Sequence, residues 1–204
     1  MPALKKYRAD LLLLILLPFT ANLFAEEMDF YAGVGIGITH AQTTCSNLEI
    51  TPIINGCDEK DTGYKIFGGY QVNKYAAVEL AWLDLGEATV SGPLSPTLTW
   101  SGSSETEVIS LSAKLTLPVY QKAGIFAKGG VAYWDNESNT ISAGVVVRES
   151  DSGFSPIYGG GLYYWVSKSL LIRLEWERVH DVADSPDGSD SPWDMASLGV
   201  VYYF

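Results

Sequence analysis

The chain holds two imidazoles, His40 and His180, and two thiols, Cys45 and Cys57. Either histidine could act as a general base, yet neither sits in a nucleophile motif, and G-x-S-x-G is missing. Gly33-x-Gly35-x-Gly37 fails the dinucleotide fingerprint by spacing and has no helical pattern behind it. A two-thiol metal site lacks further cysteines, with His40 the one imidazole nearby. Asp181, Asp184, Asp187, Asp190 and Asp194 make an oxygen-rich stretch, but not with calcium-loop spacing. It reads as a solvated acidic loop. No catalytic residue, cofactor or metal is expected.

The remaining chemistry lies in charges set among apolar residues. Lys65, Glu79, Lys114, Lys128, Arg173, Glu175 and Glu177 each fall on the opposite parity from the apolar residues around them. Four are basic and three acidic. Should that parity face an enclosed interior, these groups must pair with one another, because a lone buried ion keeps its desolvation cost.

The elements that position them are strands. Phe30, Ala32, Val34, Ile36 and Ile38 alternate with Tyr31, Gly33, Gly35 and Gly37, a period of two. The same alternation returns seven more times, centred on Ile66, Leu80, Leu111, Ala127, Gly160, Leu174 and Leu198. Strands of roughly ten residues, tilted by about 45°, are each long enough to cross a ~25 Å apolar band. Short connections around Asn73, Gln121 and Ser167 alternate with long ones at 41–62, 86–106, 135–153 and 180–193. That rhythm describes an all-β, antiparallel up-and-down barrel of eight strands, with every long loop at one end.

A soluble barrel and a membrane barrel share this count, and the aromatic residues separate them. Tyr64, Trp82, Tyr133, Tyr158 and Trp176 lie toward the long-loop end of the apolar faces. Phe30, Tyr70, Tyr164, Tyr202 and Phe204 lie toward the short-turn end. Two aromatic girdles around a Leu/Ile/Val/Ala band match a lipid-facing surface. The glycines of the opposite faces suit a narrow lumen. The barrel spans a membrane.

Composition agrees. Thirteen Lys+Arg against 24 Asp+Glu give a net charge of −11, the wrong sign for nucleic-acid binding. No apolar run after residue 25 approaches the ~18–20 residues of a spanning helix. Lys5, Lys6 and Arg8, then the apolar run Leu11 to Leu17, then Ala25, are laid out as a secretory signal peptide over 1–25. The barrel domain is expected over 26–204. In an exported chain the even cysteine count predicts a Cys45–Cys57 disulfide, which contributes ~3 kcal/mol in the chain-entropy model.

Taken together, Phe30-Tyr31-Ala32-Gly33, the hairpin Ile66-Phe67-Gly68-Gly69-Tyr70-Gln71-Val72-Asn73, and Leu111-Ser112-Ala113-Lys114-Leu115 resemble one known family. Arg173-Leu174-Glu175-Trp176 and Ser197-Leu198-Gly199-Val200 continue the match in order. It is the OmpA-like transmembrane domain of Gram-negative outer membranes. The resemblance implies an outer-membrane location without the periplasmic peptidoglycan-binding domain, and contact with outer-membrane lipids and lipopolysaccharide. It also implies that Ser197, Gly199, Tyr202 and Phe204 form the signal read by the assembly machinery. Glu79, Lys114 and Arg173 match the family's lumen charges, Glu79 and Arg173 as a buried pair, with Lys128 and Glu175 further inward ones. Gly35 and Tyr163 stand where the family carries a lysine and a glutamate, which puts its ion gating in doubt. The implied role is structural or surface-interacting, toward external or host ligands through the loops. A small-solute pore and a lipid-modifying enzyme are the other two classes.

Overall fold

The computed structural model describes residues 30–42, 56–95, 98–142, 145–180, 182 and 192–204. The expected signal peptide, Cys45, Asp181, Asp184, Asp187 and Asp190 lie outside them. Nine strands appear among the described residues: β1 Phe30–Ala41, β2 Gly56–Asp58, β3 Lys60–Asn73, β4 Ala76–Ser95, β5 Leu98–Pro118, β6 Ala123–Ser142, β7 Val145–Trp165, β8 Leu170–Val179 and β9 Trp193–Tyr203. β1 and β3 to β9 are the eight expected strands. Each pairs antiparallel with its neighbour, and β9 returns to β1, so no edge remains in the wall. β2, which carries Cys57, is a three-residue addition on the outer end of β4.

The register fixes the shape. Stepping through paired residues from Phe30 leads to Tyr70, Val78, Ala113, Gly129, Tyr158, Arg178, Asp194 and then His40. One circuit thus returns to β1 ten residues further along. Eight strands with that stagger tilt by about 40° and enclose a backbone cylinder of about 8 Å radius. Such an interior holds side chains and little else.

The faces are inverted relative to a soluble protein. Lys65 is 1% exposed and Arg173 3%, whereas Leu115 is 64% and Ile38 66% exposed. Charge faces in and hydrocarbon faces out, the arrangement a lipid solvent requires. On the outward face Phe30 packs on Tyr70 and Tyr202 on Phe204 at the short-turn end, and Tyr158 on Trp176 at the other.

Large inward rings settle over glycines directly across the ladder. Tyr31 lies over Gly69, Phe67 over Gly33, Trp134 over Gly153 and Tyr163 over Gly124; a Cβ at any of the four would fall within 2.7 Å of the ring. These pairs let bulky residues share so narrow a cylinder.

Two connections differ from expectation. The segments 86–106 and 135–153 are long but not irregular. β4 and β5 stay paired out to Ser95↔Leu98, and β6 and β7 out to Ser142↔Val145. The Ser, Thr and Asn content of these stretches hides the period of two, because side chains of both parities are at least partly exposed over most of them. Gly86, with φ of +76°, forms the bulge between the barrel and the β4–β5 ribbon. Asp84 accepts the Gly86 N–H at 2.9 Å, and Asp61 accepts the Glu87 N–H at 2.8 Å.

Leu80 and Leu174 are exposed on the apolar band between the girdles. Replacing either by Arg should cost ~2–4 kcal/mol, and the same change at Trp176 near the interface far less. Urea unfolding in lipid vesicles measures this, and equal costs would reverse the assignment of faces.

Candidate functional site

The seven inward charges meet in one cluster between two apolar layers. Strand pairing brings Lys65 of β3, Glu79 of β4, Lys114 of β5, Lys128 of β6, and Arg173, Glu175 and Glu177 of β8 to the same region of the interior. All seven are buried. Toward the short turns lie Tyr31, Phe67, Phe126, Tyr163 and Tyr203; toward the loops lie Leu83, Val108, Trp134, Ile157, Val179 and Met195.

Glu79 is the hub. Its carboxylate accepts from Arg173 Nη1 at 2.7 Å and Nη2 at 3.0 Å, a bidentate fork. It also accepts from Tyr31 Oη at 3.0 Å and Lys128 Nζ at 3.3 Å. Arg173 Nη2 additionally reaches Glu175 at 2.6 Å, and its guanidinium stacks 4.1 Å from the Phe67 ring centre. Lys65 donates to both Glu175 and Glu177, and Lys128 pairs with Glu177 and, at 3.0 Å, with Glu175. The stem of Lys65 covers Gly35, its ladder partner, 3.1 Å from where a Cβ would stand. A cation on the neighbouring strand thus fills the space beside Gly35.

Lys114 is held differently. Its ammonium lies 3.8 Å from Glu79 Oε2 and rests 4.1 Å above the Tyr31 ring. Tyr31 was on the right parity to face Glu79, but only the register shows that its hydroxyl donates to it. A second cluster lies on the outward face at the loop-end rim, where Arg178 forks onto Asp194 at 2.7 and 2.8 Å and Gln42 donates to the same carboxylate. Asp194, read in the sequence as part of a solvated loop, is instead paired. His40 faces Glu59 at 3.3 Å on the same rim.

Of the remaining predicted residues, Ser197 and Gly199 point inward on β9, while Tyr202 and Phe204 point to lipid. Cys57 lies on β2, and its expected partner Cys45 is outside the described residues.

A closed eight-strand ring with a charged, plugged interior is the architecture of a small outer-membrane barrel. The model of the OmpA-like transmembrane domain matches residues 25–204. The chain belongs to that family. It is 30% identical over 190 residues to outer membrane protein A of Klebsiella pneumoniae, covering 91% of this chain and 54% of that protein. Against outer membrane protein A of Escherichia coli O157:H7 it is 31% identical over 149 residues, covering 72% and 40%. The chain therefore spans about half the length of these relatives. Among solved structures it resembles Neisserial surface protein A, with TM-score 0.54 and 12% identity over 86% of this chain and 97% of that one. The N-terminal barrel of Pseudomonas aeruginosa OprF gives 0.52 and 13%, over 86% and 98%. Ail of Yersinia pestis, solved with the heparin analogue sucrose octasulfate, gives 0.50 and 14%, over 86% and 99%. These likenesses are of fold. As an OmpA-like barrel, the protein resides in the Gram-negative outer membrane.

A double-mutant cycle tests the hub. Glu79→Gln and Arg173→Met should each cost ~3–5 kcal/mol, since each strands a buried partner. The double variant should lose less than the sum of the two. Glu79→Gln should be the worse single change, because Arg173, Lys128 and Lys114 all lose an anion. Urea unfolding in vesicles, followed by Trp emission, gives the four values; strict additivity would mean the pair is not coupled.

Proposed function

We propose that this OmpA-like barrel is a non-catalytic envelope protein that stabilises the outer membrane and engages external partners through its extracellular ribbons. The observation that carries this reading is the length of β4 to β7. Each has 20 or 21 residues, about twice what a tilted strand needs to cross the ~25 Å apolar band. The surplus from β4, β5, β6 and β7, joined by β2, makes a twisted sheet standing clear of the membrane on the long-loop side. By the rule for bacterial barrels, that side is extracellular.

Its outer border is available. β7 first pairs with β8 at Ile157↔Val179, so the stretch from Val145 to Ser155 is hydrogen-bonded as a strand on the β6 side alone among the described residues. An edge of that kind accepts an extended segment of another chain. Charge selects the partner. Glu105, Glu107, Asp135, Glu137, Glu149 and Asp151 outnumber Arg148 on these ribbons. Basic protein segments are favoured, and polysulfated glycans such as the analogue bound by Ail are repelled.

The interior supports a non-conducting barrel. Six of the seven charges are closely paired, Lys114 stands 3.8 Å from Glu79, and apolar side chains fill the loop end of the lumen. Planar-bilayer conductance is expected to stay at background.

Deleting residues 138–149 removes the tip of the β6–β7 ribbon at the matched pair Ser138↔Glu149 and leaves the barrel register intact. In cells carrying the full chain, attachment to surfaces coated with basic matrix proteins should fall several-fold on deletion. Heat-modifiable gel mobility should be unchanged, and heparin-coated surfaces should not retain either strain. Equal attachment by both strains would remove the ribbons from the interaction.

A further inference from the structure

A cavity of about 350 Å³ opens at the short-turn end of the lumen. Its wall carries Lys74, Lys114, Lys168 and Arg173, beside Tyr163 and Trp165, and no Asp or Glu lines it. That volume falls in the range of small-molecule pockets. Arg173 is already engaged by Glu79 and Glu175. Lys114 is not so engaged. It is 6% exposed, its nearest carboxylate oxygen is 3.8 Å away, and among the described residues its ammonium donates no hydrogen bond.

The surrounding charge points the same way. Four cations against three anions leave the buried network one positive charge in excess. The three short turns, at 73–76, 119–122 and 166–169, contribute Lys74, Lys122 and Lys168 and no acidic side chain. A buried ammonium with unused donors, whose one carboxylate is shared with Arg173 and Lys128, faces a basic and partly aromatic cavity and can take a further anion.

We propose that this mouth binds a small organic anion, a carboxylate or phosphate monoester carrying an aromatic or short apolar group. Lys114 receives the anionic head with Lys74 and Lys168 at the rim, and Tyr163 and Trp165 cover the apolar part. The site opens on the periplasmic side, where short turns of bacterial barrels lie. It is independent of the extracellular ribbons, so its failure would leave the surface reading untouched.

Calorimetric titration of the full chain, folded in zwitterionic detergent, tests this with phenyl phosphate, benzoate, inorganic phosphate and benzyl alcohol. Phenyl phosphate or benzoate should bind saturably at one site, and the stronger of the two identifies the head group. Inorganic phosphate should bind at least several-fold more weakly, and benzyl alcohol not at all. Affinity should fall as salt rises. Lys114→Met should weaken binding at least ten-fold while keeping the fold, because the network then balances at three charges of each sign. The exposed pair Lys74→Gln with Lys168→Gln should weaken it several-fold, and carries the test should Lys114→Met not fold. Lys122→Gln, outside the cavity, should bind as the parent does. No saturable binding by either anion, equal binding of benzyl alcohol, or undiminished binding in the rim variant would overturn the site.

Discussion

The structure depends on a confinement problem. An eight-strand ring staggered by ten residues leaves a cylinder too narrow for a water column around seven charges. Each charge is therefore solvated chiefly by other side chains, with Lys114 and Arg173 also bordering the cavity at the short-turn end. Glu79 answers this by accepting from three different strands, through Arg173, Lys128 and Tyr31. Because those partners sit on β8, β6 and β1, the hub ties opposite sides of the wall together. Ladder bonds join neighbours only, so the cross-lumen contacts come from this cluster and the rings packed around it.

The same confinement explains the glycines. Tyr31 can reach Glu79 because Gly69 across the ladder leaves room for its ring, and Phe67 lies beneath the Arg173 guanidinium because Gly33 does likewise. Charge, ring and glycine form one packing unit. The apolar layer of Leu83, Val108, Ile157 and Met195 above the charges then keeps them from the loop-side water. That layer makes the interior of this barrel a core in the ordinary sense, with its polar part at the centre.

The outer end obeys a different rule. Beyond the Gly86 bulge most side chains of both parities are at least partly exposed, Ala88 excepted, so alternation weakens while the ladder persists. The molecule divides into a lipid-solvated wall whose outside must be apolar and a sheet beyond it whose composition is free of that constraint. Acidic side chains gather on that sheet and basic ones at the opposite turns, so the charge is polarised along the barrel axis.

From the sequence alone came the eight strands, their order, the inward parity of the seven buried charges, and the two girdles. All of these follow from a period of two read against a lipid solvent, which is a local property. The residues of the buried cluster were legible for the same reason: a charge out of phase with an apolar run has to face inward. Beyond the Glu79–Arg173 pair that the family resemblance implies, which charges meet was not legible. That Lys65 reaches Glu177 rather than Glu79, that Tyr31 donates to Glu79, and that Lys114 is left over depend on the stagger, which no single strand encodes. The ribbons were missed because ladder pairing, not hydrophobic pattern, holds them. Asp194 was misjudged for a related reason, since its partner Arg178 lies on the adjacent strand and only the register places them side by side. Parity is written in the chain; stagger is decided when the ring closes.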